Sequence, residues 1–414
     1  IQGARPAQDF LLGARSADLE LDAKGETAFV LADHRLVTVG LKDGKVKPVK
    51  LQARIRLDAA AERAHLFEHI WRQTREKFYV EEMHGVDWEA MKAAYARFLP
   101  HVDTDRDFAE LISEMQGELN ASHTGGRYRP DQDPAAGTAA LGFFPDPDHD
   151  GDGVRILEVI VGGPLAEVEP AVEPGTVIEA VDGTAIAAGE NWVPLLERKA
   201  GQPTRLRLSA PDAEAREVTL KPVTLREQGQ LLYERWVRSR REAVKELSEG
   251  RLGYAHIRGM NEGAYREIFE EIFGRWVGAE GIVLDTRFNG GGNLVEPLTI
   301  FLGGEVYFTA VPRGRVVGVE PTMRWTKPSI VVMNEGNYSD AHCFPTAYTS
   351  LDLGETVGMP VPGTCTSVWW ERLQNPSLVF GIPQVGYRDR EGDLVENKHL
   401  APDHQVDNDP ALEA

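Results

Sequence analysis

The sequence is poor in cysteine, in long apolar runs and in positive charge, and each shortage excludes a class of protein. Two cysteines in 414 residues cannot form the framework of a disulfide-stapled domain. No apolar run approaches the roughly 18 residues that a membrane-spanning helix needs. The formal net charge of -20 argues against nucleic acid and anionic membranes as partners. We therefore expect a soluble globular protein without a nucleic-acid or membrane partner.

The two cysteines, Cys343 and Cys365, also carry a prediction of their own. Neither belongs to a CxxC pair, which argues against a zinc site. We expect two buried, reduced thiols and no metal or other cofactor.

The length of the chain and its first residue bear on its organisation. A chain of 414 residues is too long for one core and predicts roughly two to four domains. The chain starts at Ile1 rather than Met, so we expect a fragment or a processed product whose N-terminal part is missing. The lack of a signal peptide is then uninformative about the compartment.

Changes in hydrophobic period predict four domains. Residues 1–57 contain short alternating strands with glycine turns, too few to bury a core alone. Residues 58–135 contain amphipathic helices. Residues 136–222 return to short strands, with a helix over 192–200, in an order that resembles a PDZ domain, a module that binds extended peptides. Residues 223–414 alternate strands and helices, which predicts a largely parallel α/β sheet.

Two strand ends in the last segment carry the parts that acyl transfer needs. The apolar run 330–333 leads into the turn 334–340, which presents Ser339, and the run 282–285 leads into the glycines 290–292. A serine on a sharp turn can act as a nucleophile, and glycine lets backbone N–H groups approach a developing oxyanion. Active sites of parallel sheets form at the carboxyl ends of strands, where both motifs fall.

From about residue 60 to its C-terminus the chain resembles the tricorn group of the C-terminal-processing (S41) serine peptidases. The motifs that carry the resemblance occur in family order, at 117–123, 287–292, 334–340, 353–358 and 395–397. The resemblance implies a multidomain α+β fold. Its parts would be the tail of a β-propeller, a helical subdomain carrying the catalytic histidine, a PDZ-like β domain and a ClpP/crotonase-like α/β catalytic domain.

The resemblance also implies a catalytic tetrad. Ser339 corresponds to the nucleophile, His123 to the general base, and Ser122 and Glu396 to the groups that support the histidine. The chemistry of these residue types agrees, because a serine hydroxyl is a weak nucleophile until a neighbouring base takes its proton. Imidazole titrates near working pH, and a carboxylate can stabilise the imidazolium directly or through a hydroxyl.

Further roles follow from the same alignment with the family. The backbone N–H groups of Gly292 and Asp340 would form the oxyanion hole, and Gly291 and Ala310 would contact the substrate. Where the tricorn group uses an aspartate to select a basic residue before the scissile bond, this chain has Ala310. Without that carboxylate to pair a buried cation, we expect a hydrophobic or small residue there instead.

Three other features leave alternatives open. Residues 146–152 imitate the start of a calcium loop, but the twelfth position is Leu157, so a polar hairpin turn is the favoured interpretation. His342 is a tempting base that lies too near Ser339 in sequence to reach back to it easily. The aromatic pair 369–370 could line the cleft or pack in the core.

Two functions of different classes remain. The first is a serine endopeptidase that hydrolyses oligopeptides or unfolded proteins through an acyl-enzyme; the second is a non-catalytic ligand- or peptide-binding protein on the same fold. The complete catalytic set favours the first, and a crotonase-type acyl-CoA enzyme would leave Ser339 unexplained. The family resemblance implies peptide substrates, a homo-oligomer such as a hexamer, and a cytoplasmic location, with the periplasm or secretion as the alternative.

Overall fold

The structure, a computed structural model, describes residues 17–32, 35–50, 56–130, 137–211 and 213–407. Within these ranges no helix is both long and apolar enough to cross a membrane. The contacts between residues divide the chain into two compact units, Ile1–Glu62 and Arg63–Ala414.

The described strands of the first unit form an antiparallel sheet in chain order: β1 (Ala17–Leu21), β2 (Thr27–Ala32), β3 (Arg35–Gly40) and β4 (Val46–Pro48). Its buried face holds a small cluster of Ala28, Val30, Val37 and Val39. The alternation of buried and exposed residues along β3 is typical of a strand with one solvated face. That this sheet is the tail of a β-propeller stays a prediction.

The predicted helices of residues 58–120 are present as α1 (Ala59–Lys77), α2 (Trp88–Ala96) and α3 (Asp105–Gly117). Thr104 caps α3 by accepting a hydrogen bond from the Asp107 N–H at 3.1 Å, which satisfies one of the unpaired donors of its first turn. Trp71 and Trp88 cross-link the first two helices, since each indole N–H donates to the other's backbone carbonyl.

These helices share their core with strands from the far end of the chain. β5 (Gly125–Tyr128), which follows α3, pairs with β21 (Leu378–Gly386), and β21 pairs with β20 (Thr366–Arg372). Side chains of β21, among them Phe380, are buried in the same hydrophobic cluster as the helices. The loop between α3 and β5 is therefore fixed at both ends.

The PDZ-like segment folds around its own core. Its main sheet has the order β12-β11-β9-β8-β7, with β10 paired to β9, while β6 pairs with β13. The strands are β6 (Ala139–Ala140), β7 (Phe143–Pro145), β8 (Val154–Val159), β9 (Val177–Val181), β10 (Thr184–Ala185), β11 (Thr204–Ala210), β12 (Ala213–Leu220) and β13 (Val223–Thr224). The predicted hairpin turn at 146–152 joins the antiparallel strands β7 and β8.

The predicted helix over 192–200 is wrong. Only a short 3₁₀ turn, Val193–Leu196, forms there. Beyond this turn the backbone pairs with a neighbouring segment instead. Glu197 forms an isolated β-bridge with Thr138, and the Arg198 N–H donates a hydrogen bond to the Gly137 carbonyl.

The α/β segment begins with α4 (Leu225–Leu247), which carries a capping box between Thr224 and Glu227. Its sheet is parallel, in the order β14-β15-β18-β19-β22. These strands are β14 (Leu252–His256), β15 (Gly281–Asp285), β18 (Ser329–Met333), β19 (Glu355–Gly358) and β22 (His404–Gln405). β15 is buried throughout, as expected for a strand covered on both faces.

Helices and one hairpin connect these strands. They are α5 (Glu262–Glu270), continued by the π-helical turn Glu271–Arg275, then α6 (Val295–Gly303) and α7 (Asp340–Ser350), and the hairpin of β16 (Phe308–Ala310) and β17 (Gly318–Glu320). The helices bury their apolar faces against the sheet in one cluster that includes Val331 and Phe344. This α/β core holds the carboxyl ends of β15 and β18 side by side.

The prediction of two reduced thiols is wrong, because Cys343 and Cys365 form a disulfide. Cys343 lies in the first turns of α7, and Cys365 directly precedes β20. The fold brings their Cα atoms to 5.2 Å, within the range that a disulfide needs.

Candidate active site

Ser339 stands at the tip of a strained turn between β18 and α7. Its backbone has φ 60° and ψ -125°, a region that L-residues rarely occupy and that surrounding contacts must hold. Two such contacts are a hydrogen bond from the Ser339 N–H to Thr364 Oγ1 at 2.9 Å and one from Asn337 Nδ2 to the Ala341 carbonyl at 3.1 Å. The turn therefore presents the serine in one fixed backbone conformation.

The glycine loop lies directly against this turn. Gly291 has φ +92°, and a Cβ added to it would lie 2.5 Å from Ser339 Cβ and 3.0 Å from the Asp340 nitrogen. Gly292 has φ +148°, and a Cβ there would collide with the backbone of Met260. Positive φ and close backbone approach both require glycine at these two positions. The loop thus reaches the serine only because it has no side chains there.

The backbone N–H groups of Gly292 and Asp340 lie at this contact, and neither has a hydrogen-bond acceptor among the described residues. Asp340 opens α7, and the first N–H groups of a helix have no partner within the helix. Its side chain is occupied elsewhere, because Oδ2 accepts a hydrogen bond from the Leu294 N–H just before α6. Burial raises the pKa of Asp340, and hydrogen bonds from the Leu294 and Val295 N–H groups oppose that shift.

His123 lies in the loop between α3 and β5, with φ +64° and only 6% of its surface exposed. Its backbone N–H donates to the hydroxyl oxygen of Tyr338 at 2.7 Å, and the two rings are 4.8 Å apart. Burial lowers the pKa of His123 to about 4, and the positive charge of Arg127 adds to the shift. At neutral pH the imidazole is therefore uncharged, which is the form that can accept a proton.

Glu396 supports the histidine loop through Ser122. The Ser122 N–H donates to Glu396 Oε1 at 2.6 Å, and Ser122 Oγ lies 2.8 Å from His123 Nδ1. Glu396 is 5% exposed, and its Oε2 has no hydrogen-bond partner among the described residues. Burial raises the pKa of this carboxyl group, while the hydrogen bonds from Ser122 oppose the shift. The carboxyl group is thus held against the Ser122 backbone, and its second oxygen has no partner among the described residues.

The structure brings Ser122, His123 and Glu396 together and places Ser339 one residue from the tyrosine that holds His123. Ser339 Oγ itself makes no hydrogen bond to a described group, so the serine and the imidazole are not joined directly. Such bonds are often long in a ligand-free site and shorten when the substrate binds. Ala310 lies on the exposed hairpin of β16 and β17, and its contact with substrate stays a prediction.

Sequence reasoning missed three residues that hold the site. Tyr338 binds the His123 backbone, Thr364 binds the Ser339 backbone, and Thr366 Oγ1 lies 2.9 Å from His123 Nδ1. Tyr338 could have been suspected because it adjoins the serine. No sequence signal marks the two threonines, which contact the site only through the fold.

The structure also places the other candidate residues that the sequence suggested, His342 and the aromatic pair 369–370. His342 is buried and accepts a hydrogen bond from the Thr364 N–H at Nδ1, so it supports the loop before β20. Burial lowers its pKa to about 4, with a smaller contribution from His399. Trp369 is exposed, whereas Trp370 lies under the Arg127 guanidinium at 3.7 Å.

This fold and site define a multidomain protein whose α/β domain is built like that of a serine hydrolase. Comparison with protein families finds matches for three segments of the chain. Residues 59–117 match the tricorn protease C1 domain, residues 157–224 the tricorn protease PDZ domain, and residues 251–406 peptidase family S41. The chain thus resembles the tricorn-type S41 peptidases in all three of these segments, and residues 251–406 match a serine-type peptidase family.

Several known proteins are similar to the chain over nearly its whole length. Tricorn protease homolog 1 of Streptomyces coelicolor is 29% identical over 418 residues, which cover 96% of this chain and 39% of that protein. The tricorn protease of Thermoplasma acidophilum is 28% identical over 403 residues, covering 92% and 37%. A crystal structure of the tricorn protease superposes with a TM-score of 0.80 at 25% identity, covering 94% of this chain and 39% of that one. The chain thus spans about two fifths of these relatives.

Proposed function

We propose that this protein is a serine endopeptidase that hydrolyses oligopeptides or unfolded proteins. The observation that carries the proposal is the contact between Ser339 and the glycine loop, which leaves the Gly292 and Asp340 N–H groups without acceptors beside the serine. Donors placed in advance at the point where an oxyanion develops are worth roughly 10² to 10³ in rate each. A binding site with no chemistry would have no need for them.

In the proposed mechanism His123 Nε2 takes the proton of Ser339 Oγ as that oxygen attacks the scissile carbonyl. The carbonyl oxygen becomes an oxyanion and accepts hydrogen bonds from Gly292 and Asp340. His123 then gives its proton to the leaving amine, and water hydrolyses the acyl-enzyme by the same steps in reverse. Glu396, buried behind Ser122, favours the imidazolium while it exists.

Burial has two opposed effects on this base. It lowers the pKa of His123 to about 4, which keeps the imidazole ready to accept a proton and weakens it as a base. Glu396 Oε1 accepts the Ser122 N–H at 2.6 Å, and Ser122 Oγ lies 2.8 Å from His123 Nδ1, so an ionised Glu396 would act on the imidazolium through Ser122. We therefore assign to Ser122 and Glu396 the support of the charged histidine in a Ser-His-Ser-Glu tetrad.

The substrate preference and the assembly belong to the same proposal. With Ala310 in place of an aspartate, we propose cleavage after hydrophobic or small residues rather than after Lys or Arg. We also propose a homo-oligomer such as a hexamer. The exposed apolar side chains of the hairpin, including Phe308 and Val319, support it, because contiguous apolar surface of this kind marks protein interfaces.

Two observations bear on whether the protein acts in the cytoplasm or after export. Similarity to the tricorn group favours the cytoplasm. The Cys343–Cys365 disulfide favours an oxidising compartment such as the periplasm or the outside of the cell, because structural disulfides are rare where thiols are kept reduced.

The test is hydrolysis of unfolded casein and of a mixed peptide library, followed by mass spectrometry of the products. We expect new peptide termini after hydrophobic or small residues with the wild-type chain and none with Ser339→Ala. An intact library in the presence of folded wild-type protein would contradict the proposal and favour the non-catalytic binding protein. The absence of a direct bond from Ser339 Oγ to His123 is the observation that keeps this second function in view.

A further inference from the structure

Two hydroxyl oxygens lie close to Nδ1 of the His123 imidazole, and the three atoms form a triangle. Ser122 Oγ lies 2.8 Å from His123 Nδ1, Thr366 Oγ1 lies 2.9 Å from the same nitrogen, and the two hydroxyl oxygens are 3.0 Å apart. All three distances are within hydrogen-bonding range. The nitrogen therefore faces two hydroxyl groups rather than one.

The position of Thr366 suits it to fix the orientation of the neighbouring His123 side chain. It is the first residue of β20, where its partner on β21 is Gly386, and only 3% of its surface is exposed. A β-branched side chain has few χ1 rotamers, so a buried threonine in a strand directs its hydroxyl in one direction. Its neighbour Cys365 is bonded to Cys343 in α7, which fixes the start of the strand to the helix that follows Ser339.

The protonation of Nδ1 decides whether His123 can act. A base that takes a proton at Nε2 must carry its own proton on Nδ1, and the partner of Nδ1 selects that tautomer. Ser122 alone could either accept from Nδ1 or donate to it. With a second hydroxyl in reach, one O–H can point to the other oxygen, which leaves a lone pair facing Nδ1–H.

We propose that Thr366 is a positioning residue of this site, whose hydroxyl group holds His123 in the Nδ1–H tautomer with Nε2 free toward Ser339. This inference rests on the proposed role of His123 as the general base. The tautomer can be measured even in a protein that shows no activity. The inference about Thr366 and the proposed role of His123 as the general base can therefore be refuted independently.

The experiment compares Thr366→Val, which removes the hydroxyl at nearly constant volume, with Thr366→Ser, which keeps it. Thr204→Val is the matched control, because Thr204 is a fully buried strand threonine of the PDZ-like sheet whose hydroxyl donates to the Gln202 carbonyl and, among the described residues, to no other group. For each chain, nitrogen NMR of ¹⁵N-labelled histidine gives the tautomer of His123 at neutral pH, and peptide hydrolysis gives kcat and KM.

We expect the Nδ1–H tautomer in the wild type, in Thr366→Ser and in Thr204→Val, and a mixture in Thr366→Val. We expect kcat of Thr366→Val to fall roughly 10- to 100-fold, the value of one hydrogen bond to a charged group, with KM nearly unchanged. Thr366→Ser should recover most of that loss. A pure Nδ1–H tautomer in Thr366→Val, or equal losses in Thr366→Val and Thr366→Ser, would overturn the inference. If the wild type hydrolyses nothing, the proposed function fails, and the NMR comparison still decides the role of Thr366.

Discussion

The glycine loop gives the most quantitative prediction, the effect of Gly291→Ala. The new Cβ would lie 2.5 Å from Ser339 Cβ, whereas ordinary contact begins at 3.4 Å, so the loop and the serine turn must separate by about 1 Å. A donor at about 2.9 Å from an oxyanion would then be near 4 Å, beyond hydrogen-bonding range. A displacement of this size costs roughly 10²-fold in rate, and loss of one oxyanion donor costs roughly 10² to 10³. We therefore expect kcat to fall by roughly 10² to 10³.

The adjacent Gly290 provides the control. A Cβ at Gly290 would meet nothing within 4 Å, and its φ lies outside the left-handed region, so Gly290→Ala tests the same chemical change without the collision. We expect Gly290→Ala to keep kcat within about threefold of the wild type, which corresponds to less than 1 kcal/mol of barrier. Steady-state hydrolysis of a fluorogenic peptide, with urea unfolding of each variant to confirm that it is folded, measures both effects.

Equal activity of folded Gly291→Ala and Gly290→Ala would refute this prediction. That outcome would mean that the glycine loop can move away from Ser339 without cost. The Gly292 N–H would then not belong to the catalytic site.

Four further predictions concern charge and covalent structure. Because burial lowers the pKa of His123 to about 4, kcat/KM should stay nearly constant from about pH 8 to pH 5, and an acid limb near 6.5, the ordinary histidine value, would contradict this. For the same reason His123 stabilises the fold fully above pH 6.5, and this contribution, about 3 kcal/mol, is lost as the pH falls through 4, which unfolding by urea at each pH can measure. Glu396→Gln keeps an oxygen for the Ser122 N–H but removes the charge, so kcat should fall roughly 10- to 100-fold with KM unchanged, and an unaltered kcat in steady-state assays would exclude electrostatic support. Replacing Cys343 and Cys365 together by serine opens a loop with a sequence separation of 22 and should lower the free energy of unfolding by about 3 kcal/mol, whereas an unchanged urea midpoint would show that the disulfide adds nothing.

The sequence predicted the parts of the fold that depend on local pattern. The apolar runs before Ser339 and the glycine loop are buried parallel strands, and short-range periodicity is enough to find such strands. The helix predicted over 192–200 does not form, because the backbone there pairs with residues 137 and 138. These residues lie too far away in sequence for a local pattern to include them. Local pattern thus predicted the strand ends correctly. It predicted a wrong helix where a segment distant in sequence competed for the same backbone hydrogen bonds.

The supporting residues of the site could not be predicted for a related reason. Thr366 and His123 are 243 residues apart in sequence, and a threonine at the start of a strand is ordinary. The disulfide was missed because two cysteines carry no pairing signal until the fold brings their Cα atoms together. The four residues proposed as a tetrad were predicted from family motifs, which mark a backbone shape around each residue rather than the contacts of its side chain.

The most direct measurement is labelling with a fluorophosphonate probe, followed by peptide mass mapping of the modified residue. A fluorophosphonate reacts preferentially with a serine whose hydroxyl group a neighbouring base has activated. We expect one label, on Ser339, absent in Ser339→Ala and strongly slowed in His123→Ala. A folded wild-type chain that takes up no label, or a label on a different serine, would contradict the assignment of Ser339 as the nucleophile.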